Sequence, residues 1–292
     1  MIGAGAIVFV TGAGGTVGSA VAARLTREGC LVRGLVRGAP TALPSVAEVV
    51  RGDLGDRAAL AAAARGARLC VHCAAEWSGD REASRRSNVE GVANLIDALL
   101  ESGCPRLVHI STISVYDDAA GPDFEEESPL WATDDDNPYG GTKAASERLI
   151  AAAGAARGLD AVILRPALVA SMHPRSHWGP LAVERAAATA ASILPFPELP
   201  QVHADNLAEA VVLAARAPAA ARGRAYNVID SVGAGRDYLD AVYGAVGRAA
   251  PPIPADAPVY RYSAGRIRDE LGYAPADLWP AFLAALRNYR RG

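Results

Sequence analysis

The run Tyr139-Gly140-Gly141-Thr142-Lys143 holds a phenol and an ammonium four residues apart. It follows Pro138 and opens an Ala-rich stretch from Lys143 to Ala156, which reads as a helix. On a helix, positions i and i+4 share a face, so the two groups point the same way. A free tyrosine titrates near ~10 and is a poor acid or base at neutral pH. A fixed ammonium nearby favours the phenolate and lowers that value. Such a pair could move a proton to or from a substrate oxygen. Surface helices also produce Tyr-x-x-x-Lys by chance, so the pair needs company. The company is Thr11-Gly12-Ala13-Gly14-Gly15-Thr16-Val17-Gly18 near the N-terminus.

The glycine run sits where a phosphate-binding loop must sit. Ile7 to Thr11 reads as a buried strand, Val17 to Glu28 as a helix closed by Gly29, and Leu31 to Val36 as a second strand. In the Gly-x-x-Gly-x-x-Gly spacing, Gly12 allows the tight turn and Gly15 lets a pyrophosphate approach the backbone. Gly18 lets helix and strand pack closely. The helix N-terminus then faces the phosphate charge. A plain strand-to-helix turn is the alternative reading. NAD binders place an acid at the end of the second strand, on the ribose hydroxyl. Residues 31–41 contain no acid, and Arg37 stands at that strand end. A guanidinium offers a planar fork of donors to a 2′-phosphate. Arg33 lies roughly 13 Å earlier along the strand and is less well placed. The competing reading of Arg37 is a solvated loop cation. NADP(H) is therefore expected over NAD(H).

The alternation continues with strands at Glu48–Arg51, Leu69–Ala75, Leu107–Ser111 and Ala161–Leu164, and helices at Arg57–Ala64, Asn88–Leu100 and from Tyr139. This predicts an α/β fold with a doubly wound, Rossmann-like parallel sheet and right-handed crossovers. The polar segment Asp117 to Asn137, with Glu125 to Glu127, is expected as a loop over the site. After Arg165 the chain turns Pro-rich, with helices expected at Ala204–Arg216, Asp237–Ala249 and Ser263–Leu271 and a short strand at Tyr226–Ile229. The expected division is a dinucleotide-binding domain over 1–165 and a small substrate lobe over 166–292, with 201–230 returning to the large sheet.

Composition bounds the rest. The chain has 292 residues, a formal net charge of -3 and both signs of charge mixed along it. That is no footprint for nucleic acid or an anionic membrane. No apolar run approaches the ~20 residues of a membrane span, and Ile7 to Val10 is too short for a signal peptide. A cytoplasmic protein is expected. Lysine is nearly absent beside abundant arginine and alanine, which reads as coding bias. Cys70 and Cys73 are three apart in a strand and face opposite sides, so they cannot clamp one metal. No second pair completes a zinc site. No metal is expected, and all four cysteines read as packing thiols.

Taken together, Thr11-Gly12-x-x-Gly15-x-x-Gly18, Asp53-Leu54, His72-Cys73-Ala74-Ala75, Asn88-Val89-Glu90-Gly91 and Ser111-Thr112-Ile113-Ser114-Val115-Tyr116 form one ordered set. Tyr139-x-x-x-Lys143, Arg165-Pro166, Val202-His203-Ala204-Asp205-Asn206 and Tyr226-Asn227-Val228 continue it. In that order the chain resembles the extended short-chain dehydrogenases/reductases, the NAD-dependent epimerase/dehydratase family, over nearly its whole length. The resemblance implies Tyr139 as general acid/base. It implies that Lys143 bonds the nicotinamide ribose and depresses the Tyr139 pKa, and that the Thr112 hydroxyl orients the substrate carbonyl. Many relatives carry Ser there, and Ser114 is the reserve candidate. Asn88 matches the anchor of a water path to the lysine, with a helix-start residue as the alternative. Gly12, Gly15, Thr16, Val17, Gly18, Ala74, Ala75 and Pro166 would line the cofactor, and Asp53 and Leu54 would flank its adenine. Asp205 reads as a helix cap.

Two mismatches narrow the reaction. Sugar-nucleotide 4,6-dehydratases of the family place Asp-Glu after the catalytic hydroxyl residue, and here Ile113-Ser114 follows. Glu76 resembles a dehydratase carboxylate but stands alone. The Asn and the Tyr-Gly-Pro that sugar-nucleotide enzymes show after Arg-Pro are missing from Ala167-Leu168-Val169-Ala170-Ser171. The expected function is an NADP(H)-dependent reductase or dehydrogenase of a small-molecule carbonyl/alcohol pair. An epimerase working by transient oxidation is the first alternative, and a non-catalytic NADP-binding regulator the second. A homodimer is a possible assembly.

Overall fold

Along the first strand, β1 (Ile7–Thr11), Val8 and Val10 enter one apolar cluster and Phe9 another. The split recurs at Val71 against Cys70, Val108 against Leu107 and Val162 against Ile163. Successive strand side chains point to opposite faces. Both faces are covered, which is why these strands read as near-continuous apolar runs. A computed structural model describes residues 2–38, 43–104, 106–188 and 196–290.

After β1 come α1 (Thr16–Arg27), β2 (Leu31–Val36), β3 (Glu48–Arg51), α2 (Arg57–Ala64) and β4 (Leu69–His72). One helical stretch then runs through α3 (Arg81–Ser84), a π-helical turn over Arg85–Glu90 and α4 (Gly91–Glu101). Next are β5 (Arg106–Ile110), β6 (Asp123–Phe124), α5 (Pro138–Arg157), β7 (Asp160–Pro166), β8 (Leu168–Ala170) and α6 (Pro180–Ala188). The chain continues with β9 (Glu198–His203), α7 (Ala204–Arg216), β10 (Ala225–Val228), β11 (Ser231–Ala234) and α8 (Gly235–Gly244). It closes with β12 (Arg261–Tyr262), α9 (Gly265–Leu271) and α10 (Trp279–Arg287).

Seven parallel strands form the large sheet in the order β10-β7-β5-β4-β1-β2-β3. This is the doubly wound, Rossmann-like arrangement. Helices α1 and α7 cover one face and α2, α4 and α5 the other. Thus α7 and β10 belong to the large sheet's body, while β9 lies in a three-stranded sheet ordered β11-β9-β8. That small sheet packs with α6, α8 and α10 around Tyr238, Val242, Trp279 and Phe282. Strand β7 runs through Pro166, one residue past the expected division.

The helix expected from Asn88 begins earlier, at Arg81. Helices α6 and α10 and the small sheet were not expected from the sequence, and part of the Pro-rich run from Ile193 lies outside the described residues. Asp205 is not a cap: His203 caps α7, its ring accepting from the Asp205 N–H, and Asp205 sits in the first turn. The acidic segment 117–137 is mostly turn and coil, as expected, but none of it lines the cavity described below and part of it is buried. Phe124 is buried and β6 pairs with β12. Glu126 is buried and accepts from the Asn227 N–H at 3.0 Å, and buried Asp134 accepts from Arg85 at 2.5 and 2.6 Å. Polar groups can enter a core when each has its partner, and sequence polarity alone does not reveal the partners. Among the described residues no helix is long and apolar enough to cross a membrane.

Candidate active site

Strand β1 is central, and the chain winds outward from it in both directions. The switch falls between β1 and β4, and open α/β sheets bind ligands outside the strand ends at that crevice. Thr11, the last residue of β1, ties the crevice shut at its base. Its Oγ1 meets His72 Nδ1 at 2.7 Å and accepts from the Cys73 and Ala74 N–H groups at 3.2 Å each. Gly12 follows with φ +66, and a Cβ there would lie 2.8 Å from Ala74 N. A Cβ on Gly18 would lie 2.1 Å from Gly12 O. Both positions therefore exclude a side chain, and the loop stays flat against the start of α1. Helix α1 begins at Gly15 with no side-chain cap and no acid in its first turn. Its free N–H groups and positive end suit a diphosphate. The cradle thus fits a dinucleotide.

Helix α5 carries the chemistry. Asn137 caps it, accepting from the Gly140 N–H at 2.8 Å. A Cβ on Gly140 would lie 2.1 Å from Ser114 O, so the first turn can press against the 113–115 turn only because glycine stands there. Tyr139 is thereby set against Thr112. Burial pushes the Tyr139 phenol up to about 12, and a hydrogen bond with Thr112 opposes the rise. Lys143 is 1% exposed, and its Nζ donates to Ile110 O at 2.8 Å and to His109 Nε2 at 3.2 Å. Burial lowers the ammonium to about 8, with Glu147 and then Cys73 pulling it back up. The expected depression of Tyr139 by Lys143 is therefore corrected: the phenol moves the other way. The i, i+4 spacing puts both residues on one face, and the lysine stem ends in bonds to His109 and Ile110 at the C-terminal end of β5.

His109 must accept from the ammonium, so its Nε2 is unprotonated and the ring is neutral. Burial first, then Lys143 and His72, holds its pKa well below the usual histidine value. His72 stacks on it with centroids 5.2 Å apart and is pushed down to about 3, again by burial ahead of Lys143. Under the same helix, Glu147 and Arg165 form an ion pair at 2.6 Å, each about 5% exposed. Tyr116, Ser111 and Glu126 O bond into this network. Losing one partner of such a buried pair costs about 3–5 kcal/mol, so this network fixes α5 against β7.

The other candidates fall at differing distances from this core. Thr112 caps the 113–115 turn, its Oγ1 accepting from the Ser114 N–H at 3.1 Å; Ser114 is exposed beside it. Asn88 lies in the π-helical turn, buried, and its side chain is fully engaged. Its Oδ1 accepts from Glu76 N at 2.8 Å, and its Nδ2 donates to Glu76 O at 2.7 Å and Thr142 Oγ1 at 3.1 Å. It is neither at a helix start nor bonded to Lys143; it pins the loop after β4 to α5. Glu76 closes its own turn, accepting from the Trp77 and Ser78 N–H groups at 3.0 and 2.9 Å. Asp53 is exposed and accepts from Gly55 N at 2.7 Å, while Leu54 is buried. Arg33 is held by Glu48 at 2.7 Å and by two backbone carbonyls, whereas Arg37 is exposed in the turn after β2.

A cavity of about 450 Å³ opens at these strand ends. Thr16, Val17, Ala75, Thr112, Ser114, Tyr139 and Pro166 line it, so those sequence candidates meet in one place. Gly12, Asn88, Lys143, Arg37, Asp53 and Leu54 do not line it. Other lining residues lie beyond Arg165: Leu168, His177, Trp178, Leu199, Tyr260 and Tyr262. The sequence reading singled out none of these, because no short motif carries them. His109 was also missed. Its only signal is a histidine inside an apolar strand, in register with His72 across β4 and β5.

Asn88→Ala should strand Glu76 and Thr142 polar groups, at about 1–3 kcal/mol. Urea unfolding should show that loss, and hydrogen exchange at the Glu76 amide should accelerate by about tenfold or more. Unchanged exchange would mean that Asn88 does not hold this loop.

Residues 8–228 match the family model described as the NAD dependent epimerase/dehydratase family. The chain is 31% identical to a UDP-glucose 4-epimerase from Streptomyces lividans, with 92% of each chain covered. It is 35% identical over 184 residues to a 2-alkyl-3-oxoalkanoate reductase from Shewanella oneidensis, covering 59% of this chain and 45% of that one. A crystal structure of the DesIV double mutant, a dTDP-glucose 4,6-dehydratase from Streptomyces venezuelae with NAD bound, matches with TM-score 0.79 at 25% identity, covering 96% of this chain and 95% of that one. A glycine cradle at the switch point, a Tyr-Lys helix beside it and a family match along most of the sequence agree: the chain belongs to the NAD dependent epimerase/dehydratase family.

Proposed function

We propose that the protein is an NADP(H)-dependent reductase that interconverts a carbonyl and its alcohol. The observation that carries this reading is the base of the cavity. Tyr139 and Thr112 offer two adjoining hydroxyls there, and Ile113 and Ser114 stand where a dehydratase needs its acid pair. When bound, the nicotinamide supplies or accepts hydride at the carbonyl carbon. Tyr139, kept protonated by burial, donates its proton to the carbonyl oxygen as charge develops there. The Thr112 hydroxyl bonds the same oxygen and fixes its position. Gly12, Gly15, Thr16, Val17 and Gly18 would hold the diphosphate, and Lys143 would reach the nicotinamide ribose only by exchanging one of its bonds to Ile110 O and His109. Ala74, Ala75 and Pro166 would lie along the cofactor, and Asp53 and Leu54 beside its adenine. Arg37 supports the NADP choice because it is exposed, while Arg33 is already engaged. A second reading, a UDP-sugar 4-epimerase, is favoured by the likeness to the Streptomyces lividans enzyme. That reaction begins with Tyr139 accepting the alcohol proton and ends with its return, whereas a net reduction only donates it.

Deuterium-labelled NADPH separates the two. A reductase places one label in the alcohol for each cofactor oxidised. Inversion of a carbinol with no net NADPH consumption would favour the epimerase. Tyr139→Phe should retain cofactor binding and lower turnover by about 10²–10⁴-fold; near-wild-type turnover would move the proton source elsewhere.

Arg37→Ala tests the cofactor. A charge-assisted bond to phosphate is worth about 1.5–3 kcal/mol, or roughly 10- to 150-fold in affinity. Titration should show that factor lost for NADPH and little change for NADH. Equal affinity of the unaltered protein for both cofactors would refute the preference.

A further inference from the structure

The wall built from residues beyond Arg165 says what kind of carbonyl compound enters, an inference that rests on the reductase reading above. Leu168, Trp178, Leu199, Tyr260 and Tyr262 make that wall almost wholly apolar and aromatic. Among the described lining residues the only full charge is the Glu198 carboxylate. Glu198 is exposed at the rim, and no ion pair among the described residues engages it. No lysine or arginine is among the described residues that line the cavity. His177 lines it but is held down to about 4 by burial first and then by Arg185 and Arg175, so it is neutral near pH 7. Of those two cations, Arg185 reaches the His177 carbonyl at 2.6 Å, and Arg175 is exposed outside the lining. Of the residues outside the described structure, 39–42 and 189–195 contain no charged side chain, and Arg291 is the one that carries a charge.

Away from the α1 N-terminus, which the cofactor's own diphosphate would take, a second diphosphate or a carboxylate entering this cavity would lose water and meet no lysine or arginine among the described lining residues. It would also meet Glu198. An unpaired anion out of water is strongly disfavoured, and a like charge adds to the penalty. An uncharged ring or branched hydrocarbon loses nothing by the same move, and aromatic walls suit a flat body. We propose that the substrate is an uncharged carbonyl compound with an aromatic or bulky hydrocarbon body. Its oxygen lies at Tyr139 and Thr112, and its body lies against Trp178, Tyr260 and Tyr262. Glu198 acts as a filter against anions.

The test uses the full chain with NADPH and three probes: 2-acetylnaphthalene, 6-acetyl-2-naphthoate and UDP-glucose. The first two share a body and differ by one carboxylate. Binding is read from quenching of tryptophan fluorescence, since Trp77 and Trp178 line the cavity. Turnover is read at the nicotinamide absorption band. The neutral ketone should bind and be reduced at least about tenfold better than the carboxylate. Glu198→Gln should narrow that ratio by about threefold or more through a gain for the anion, and Glu198→Arg should narrow it further. Tighter binding of the neutral ketone without its reduction would support the pocket assignment and count against the reductase reading. Preferred reduction of the carboxylate would overturn the substrate class and leave the reductase reading intact. UDP-glucose bound more tightly than the neutral ketone would overturn the substrate class, and its inversion without net NADPH oxidation would overturn both.

Discussion

The site depends on one buried ammonium. Lys143 is the only lysine in the sequence; every other strongly basic side chain is arginine. An arginine would carry a planar fork of donors and a fixed charge, whereas an ammonium is compact and shifts its pKa when buried. Here the compact group fits beneath the first turn of α5, bonded to Ile110 O and His109. Burial lowers it to about 8 and raises Tyr139 to about 12. Both shifts favour the uncharged forms, so desolvation sets the resting chemistry of the pair. The phenol holds a proton to give, which is the need of a carbonyl reduction.

That constraint reaches into the fold. The ammonium can reach the C-terminal end of β5 only if α5 lies close to the sheet. Glycine at position 140 lets the helix approach the 113–115 turn, and the Glu147–Arg165 pair holds the middle of the helix to β7. His109 is neutral because it must accept from the ammonium, and it stacks on His72, which bonds Thr11 at the end of β1. The glycine loop and the Tyr-Lys helix are therefore joined through a buried polar chain across β1, β4 and β5. The link between the two histidines is a ring stack, and His72 Nε2 and His109 Nδ1 are buried without a hydrogen-bond partner among the described residues.

Much of this was legible in the sequence. The parallel sheet followed from apolar runs alternating with helical spacing, and the cofactor crevice from three glycines in the correct context. The limits were physical. Side-chain spacing gives the face of a helix but not the depth of burial, so the upward push on the Tyr139 phenol was not foreseen. Polarity marks loops but not pairing, so Glu126 and Asp134, buried with arginine or backbone donors, were placed in a lid. Asn88 looked like a helix start because π-turns leave no local signal, although its side chain links Glu76 to Thr142. The cavity's lining beyond Arg165 includes Trp178, Leu199, Tyr260 and Tyr262, dispersed over many residues and gathered only by tertiary packing.

The single lysine permits a direct measurement. Lysine-selective isotopic labelling gives one side-chain signal, whose shift can be followed by NMR as pH is raised. The account predicts a midpoint of about 8, set by burial against His109 and Ile110. A midpoint near ~10.4, the value of a solvated lysine, would contradict it, because the ammonium would then not be held in the core beside Tyr139.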